Sequence, residues 1–178
     1  MSFQKLTVEE YQAQLESRKS TPSGGSALAL TLETAASLAL MVCNLTIDKK
    51  GYEDVKEKIS EYIKIITSIK EEAKKLMDED SIAFNALMVA FKNKDQDEIA
   101  LRAIDSAMVP YRLFMETKKL QKISEALKEI GNKNVQSDAI ISIDLCNAIY
   151  YGSILNIKAN TPYIKDEDVL NTLNTILN

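Results

Sequence analysis

The chain contains no histidine. That excludes a Ser-His-Asp triad, a Cys-His nucleophile pair and the histidine-based zinc sites. An enzyme of this composition working near neutral pH must draw its acid or base from Asp, Glu, Lys, Tyr or Cys. A carboxyl or amine would then need its pKa moved by burial or by neighbours. Glycine and proline are also scarce, at 5 and 3 residues, which favours long helices over a sheet with many turns. No alternation of polar and apolar residues persists long enough to argue for a strand. The two cysteines, Cys43 and Cys146, make no disulfide framework and fit a reduced, cytoplasmic setting. They read as small core residues. A net charge of −4 and a pI near 5.1 disfavour a nucleic-acid partner. The opening MSFQKLTVEEYQ has no apolar core behind a basic stretch and is not expected to be a secretory signal. The apolar run Ala27–Leu45 is interrupted by Thr31, Glu33, Thr34, Ser37 and Asn44. It reads as a buried helix, with no membrane partner expected.

What remains is a chain of 178 residues, 46% hydrophobic and 27% charged, without repeats or linkers. This predicts one domain over residues 1–178, an all-α bundle of about six helices, two or three of them long. Thr7 followed by Glu10 is a capping-box pattern and starts a first helix reaching about Arg18. Ser20–Gly25 is a loop, and a second helix follows to about Thr46. Val55, Ile59, Tyr62, Ile66, Ile69, Ala73, Leu76, Asp80, Ala83, Leu87 and Ala90 form one seam of a long third helix. Asp80 is the single charged residue on that seam. A fourth helix spans about Asp97–Ile130, with Pro110 expected to kink or break it and Gly131 to cap it. The fifth, about Gln136–Asn160, is apolar nearly all round and is expected to be central. A short last helix begins near Asp166.

Several polar residues stand where the pattern wants apolar ones. Ser26, Leu30, Glu33, Ser37, Leu40 and Asn44 share a face of the second helix. Either their polar groups are satisfied within the helix packing, or they line a ligand cleft, since burial without partners costs about 1–3 kcal/mol per group. Asp138, Ser142, Asn156 and Asn160 lie near one face of the fifth helix. Asp138 is either a first-turn carboxylate favoured by the helix dipole or a companion of Asp80 in one cleft. Two such carboxyls could hold separated pKa values. The loop Thr21–Ser26 (TPSGGS) enters a helix, where free N–H groups suit an anion or a polar heterocycle edge. Lys49 reads as a contact for a polyanionic tail or as a solvated turn lysine. Tyr150 and Tyr151 are packing groups, or one of them flanks an aromatic ligand.

In their order along the chain, these blocks resemble the cyclodeaminase/cyclohydrolase family. That family comprises the C-terminal domain of formiminotransferase-cyclodeaminase and stand-alone methenyltetrahydrofolate cyclohydrolases. The resemblance is carried by Thr21-Pro-Ser-Gly-Gly-Ser-Ala27, Asn44-Leu-Thr46 with Lys49-Lys50, and Leu76-Met-Asp-Glu-Asp-Ser-Ile-Ala-Phe84. It continues through Val109-Pro110, Gly131-Asn-Lys-Asn-Val-Gln-Ser-Asp138 and Leu155-Asn-Ile-Lys-Ala-Asn160. Ser23 departs from it, standing where the family usually has the first of three glycines. No part resembles the formiminotransferase half. The resemblance implies an all-α homodimer acting on one-carbon-substituted tetrahydrofolate, with no cofactor beyond that substrate and no metal. The reaction implied is cyclodeamination of 5-formimino- to 5,10-methenyltetrahydrofolate with release of ammonia. The alternatives are hydrolysis of the methenyl form to 10-formyltetrahydrofolate, or a folate-binding or scaffold role without turnover. Asp80 and Asp138 are the expected acid/base pair. Ser23, Gly24, Gly25, Ser26, Asn44, Asn156 and Asn160 are expected to hold the pterin, and Lys49 the glutamate tail.

Overall fold

The computed structural model describes residues 2–177, and every described element is helical. The helices are α1 (Val8–Leu15), α2 (Gly24–Asn44), α3 (Lys56–Asn93), α4 (Gln96–Ile130), α5 (Gln136–Asn160) and α6 (Glu167–Leu177). Short 3-10 turns lie at Phe3–Lys5, Glu53–Val55, Lys133–Val135 and Thr161–Tyr163. The capping box forms: the Glu10 N–H donates to the Thr7 hydroxyl at 3.2 Å, and the Thr7 N–H donates to the Glu10 carboxylate at 2.8 Å.

Helices α2 to α5 make an antiparallel four-helix bundle, each packed on the next and α5 closing against α2. The third-helix seam points inward, with Ile59, Ile66, Ile69, Ala73 and Leu76 all buried. Opposite it, α2 buries Ala29, Leu32, Ala35, Ala36, Ala39, Val42 and Cys43. Glycine on α5 lets α2 approach closely: a Cβ on Gly152 would lie 2.7 Å from the Leu28 side chain. A second apolar cluster at one end joins Leu87, Ala103, Ala107 and Ile157 to Ile164 and Leu173 of α6 and its approach.

Part of the polar seam is satisfied by packing. The Ser37 hydroxyl donates to the Glu33 carbonyl at 2.9 Å. At mid-bundle the Ser142 hydroxyl lies 2.9 Å from that of Ser124 and 3.0 Å from the Ala35 carbonyl. Both cysteines are buried, and burial pushes their thiols up to about 12.

Three expectations need correction. The first helix stops at Leu15, short of Arg18. Pro110 does not break the fourth helix, which runs unbroken through it with Pro110 buried against the bundle. Helix α5 is not central. It buries one stripe, Ala139, Ser142, Cys146, Ile149, Ser153 and Ile157, while Tyr151 and Leu155 on its outer side are 68% and 50% exposed. Among the described residues, none covers this apolar outer side. Both α2 and the segment 133–163 have the length and hydropathy of a membrane span, but each packs on the core along one side.

Candidate functional site

A cleft of about 320 Å³ opens at the end of the bundle where α2 begins and α5 ends. Its polar border is Ser23, Gly24, Gly25, Asp80, Ser106, Asn156 and Asn160. An apolar wall formed by Phe84, Leu87, Met88 and Phe91 of α3 faces Tyr163 from the turn after α5. Phe91 and Tyr163 meet edge to face, with ring centroids 4.9 Å apart. The size and the mixture of apolar wall with a few polar groups suit a small molecule.

Asp80 is placed by the start of α2. Ser23 is the N-cap residue, yet its side chain caps nothing. The Asp80 carboxylate, arriving from α3, takes over that work: its Oδ2 accepts the Ser26 N–H at 3.0 Å and the Ser23 hydroxyl at 3.3 Å. A helix start leaves such N–H groups without partners, and a carboxylate there is also favoured by the helix dipole. Ser23 in place of glycine is therefore accommodated. Its backbone is extended, at φ −132°, and its hydroxyl adds a second donor to Asp80.

Gly25 makes the approach possible. A Cβ at residue 25 would lie 2.0 Å from Asp80 Oδ1 and 2.5 Å from its Cγ. At Gly24 a Cβ would meet nothing within 4 Å, so only Gly25 is demanded by this contact. Beneath it, the buried Ser26 hydroxyl pairs with the Tyr11 hydroxyl at 3.1 Å, tying α1 to the same turn. Burial raises the Asp80 carboxyl above the ordinary aspartate range, partly offset by the Ser26 N–H and the Ser23 hydroxyl. The Tyr11 phenol is raised too, again chiefly by burial. Asp80 is thus a carboxyl with one oxygen fixed by two donors, standing at a cleft and holding its proton more firmly than an exposed aspartate.

The remaining predicted residues divide. Ser23, Gly24, Gly25, Asn156 and Asn160 join Asp80 at the cleft, and Ser26 lies directly beneath it. Asn44, Lys49 and Asp138 do not. From Gly24 to Asn44, and from Asn156 back to Asp138, the axial distance is about 27–30 Å at 1.5 Å per residue. Because α2 and α5 are antiparallel, the start of one meets the end of the other, and the predicted set falls into two groups at opposite ends. At the far end the Lys49 amine donates to Asn132 Oδ1 at 2.6 Å and stands 5.7 Å from the Tyr52 ring centre. Asn132 in turn accepts from the Asn134 N–H, and its amide donates to the Leu45 carbonyl. Asp138 sits in the first turn of α5. Within one chain, Asp80 and Asp138 do not share a cleft.

Sequence reasoning missed Ser106 and the aromatic wall. Phe84, Met88 and Phe91 follow Asp80 at helical spacing, so the stripe was visible. Neither Tyr150, packed edge to face on Phe114 at 4.7 Å, nor the exposed Tyr151 borders the cleft.

Known proteins bear on this geometry. Residues 7–178 match the family model described as formiminotransferase-cyclodeaminase. A methenyltetrahydrofolate cyclohydrolase of Methylorubrum extorquens is 31% identical over 169 residues, covering 90% of this chain and 81% of that protein. The formimidoyltransferase-cyclodeaminase of Gallus gallus is 25% identical over 159 residues, 84% of this chain but 29% of that longer protein. The crystal structure of formiminotetrahydrofolate cyclodeaminase from Thermotoga maritima superposes with a TM-score of 0.93 at 31% identity, over 98% of this chain and 87% of that one. The chain therefore belongs to the formiminotransferase-cyclodeaminase family.

Proposed function

We propose that the protein is a tetrahydrofolate one-carbon enzyme, a formiminotetrahydrofolate cyclodeaminase, with Asp80 as its proton-transfer group. The observation that carries the reading is the Asp80 carboxyl, seated on the start of α2 at the mouth of a cleft with an apolar, partly aromatic wall. In this reaction N10 attacks the formimino carbon attached to N5, giving a tetrahedral centre between two nitrogens. Collapse expels ammonia and leaves the 5,10-methenyl bridge. The N10 proton must leave, and the formimino nitrogen must gain two protons in all, that one and one from solvent, to depart as ammonia. A carboxyl with a raised pKa serves both steps, in its two protonation states. The cyclohydrolase of Methylorubrum extorquens supports the second reading. There, water adds to the methenyl carbon and the carbon–N5 bond breaks, with one proton out and one in. Ammonia release from 5-formiminotetrahydrofolate tests the first reading. Its absence, together with accelerated hydrolysis of the methenyl form, would establish the second.

The protein is proposed to work as a cytoplasmic homodimer, paired through the uncovered outer side of α5 and its neighbour α2. Exposed Met41 of α2, Leu45 just past its end, and Ile140, Ile141, Tyr151 and Leu155 of α5 supply the apolar surface. A two-fold pairing of these antiparallel helices sets the Asp138–Lys49 end of one chain beside the Asp80 cleft of the other. Asp138 and Lys49 of the partner subunit then complete the site with the roles expected of them. Light scattering is expected to give two chains per particle. Asp80→Asn and Asp138→Asn should each be inactive alone. Once mixed and re-paired, they should recover roughly a quarter of wild-type activity, because half the dimers carry one intact site of two. A monomer, or confirmed mixed dimers with no recovery, contradicts the shared site.

A further inference from the structure

Pro110 lies inside α4 and has no N–H. The carbonyl four residues earlier, on Ser106, therefore has no partner from its own helix. Its one side-chain contact is a long one, from Asn160 Nδ2 at 3.4 Å. The Asn160 amide binds the Asn156 carbonyl more closely, at 2.9 Å. The Ser106 hydroxyl is also without a partner, although the residue is only 7% exposed. Ser106, Asn156 and Asn160 all border the Asp80 cleft. A buried hydroxyl and a freed carbonyl on one residue are costly to leave unmade. Here both belong to a residue at the edge of a ligand-sized space.

We propose that Pro110, Ser106 and Asn160 form a recognition subsite for the amide edge of the pterin ring. Proline keeps the Ser106 carbonyl out of the helix ladder and leaves it as an acceptor. With the Asn160 side-chain oxygen it offers acceptors for adjacent ring and amino N–H groups. The Ser106 hydroxyl donates to a neighbouring ring carbonyl or nitrogen. A fused heterocycle carrying N–H donors beside a carbonyl matches this set, and an unsubstituted aromatic ring does not. Pro110 acts as a positioning residue, through Ser106. The inference rests on the tetrahydrofolate reading above and adds which part of the substrate is read, and by what.

The test uses 6-methyltetrahydropterin, which has the bicyclic pterin head but neither the p-aminobenzoyl ring nor the glutamate tail. Its binding to the full-length protein is measured by calorimetry, alongside KM and kcat for the folate substrate. Ser106→Ala and Pro110→Ala are each expected to weaken pterin binding and raise KM about tenfold, with the loss falling on KM rather than kcat. Neither variant should be less stable than wild type when empty. Ser106→Ala removes an unpartnered buried hydroxyl, and Pro110→Ala restores a helix hydrogen bond. That combination, weaker binding without lost stability, is not what damage to packing produces. Unchanged pterin binding and KM in both variants, in a protein that turns over its folate, would overturn the subsite and leave the enzymatic reading standing. Tight pterin binding weakened by both substitutions, in a protein with no turnover, would support the subsite and sink the enzymatic reading.

Discussion

Replacing Asp80 by Asn is expected to lower kcat by about 10²–10⁴-fold, the usual contribution of a positioned proton-transfer group, while leaving the fold as stable or more so. The amide keeps an acceptor for the Ser26 N–H, so the start of α2 remains capped. What is lost is the proton. The direction of the stability effect follows from the raised carboxyl. The folded state holds the Asp80 proton to higher pH than the unfolded chain does. Wild-type stability therefore falls as pH rises from the ordinary aspartate range up through the raised value, and the burial penalty is fully present above it. The variant carries no such penalty. Its melting temperature should equal or exceed that of wild type at neutral pH, each kcal/mol appearing as about 2–4 °C for a domain of this size. The advantage should disappear at acid pH, where Asp80 is protonated in both states. Thermal scans across pH, with kcat at each point, check both halves.

Gly25→Ala is expected to do comparable damage to turnover without touching a reacting group. Its Cβ would sit 2.0 Å from Asp80 Oδ1, so the carboxyl must leave the Ser26 N–H or the first turn of α2 must shift. The carboxyl is the end of a side chain and is the easier to move. Alanine is also the better helix former, by about 0.5–1 kcal/mol in a helix interior. The expected result is a well-folded protein whose kcat/KM is down about 10²-fold or more, since misplacement of a reacting group by about 1 Å costs that much. Gly24→Ala, with open space around its Cβ, is the steric control and should lose far less. Equal losses in the two variants would mean that helix-start flexibility, rather than the Asp80 contact, is what glycine supplies.

Much of this was legible in the residues. The capping box at Thr7 and Glu10, the unbroken seam from Val55 to Ala90, and the span Gln136–Asn160 follow from spacing and capping chemistry, and each appears where that chemistry puts it. Asp80 stood out because it was the one charge on that seam. Of the kink or break expected at Pro110, the break does not occur: the proline removes a helix hydrogen bond there, yet α4 continues through it with Pro110 buried. The apolar girth of α5 was misread as burial inside one chain. Periodicity shows how apolar the girth of a helix is, not how much of it the bundle covers. The split of the predicted site has the same origin. Asn156 and Asp138 lie on one helix face, and only tertiary direction decides which end of α2 each of them meets. Ser106 gave a fainter signal, a serine four residues before an intrahelical proline.

The most direct measurement is absorbance of the 5,10-methenyl band near neutral pH, with wild type and Asp80→Asn compared at equal helical content by circular dichroism. Two substrates are offered, 5-formiminotetrahydrofolate and 5,10-methenyltetrahydrofolate. Wild type is expected to build the band from the first, or to discharge it from the second as a cyclohydrolase, and Asp80→Asn to do neither above the uncatalysed rate. A wild-type protein that changes neither substrate, or an Asp80→Asn variant that keeps pace with it, would contradict the assignment of this cleft to one-carbon folate chemistry.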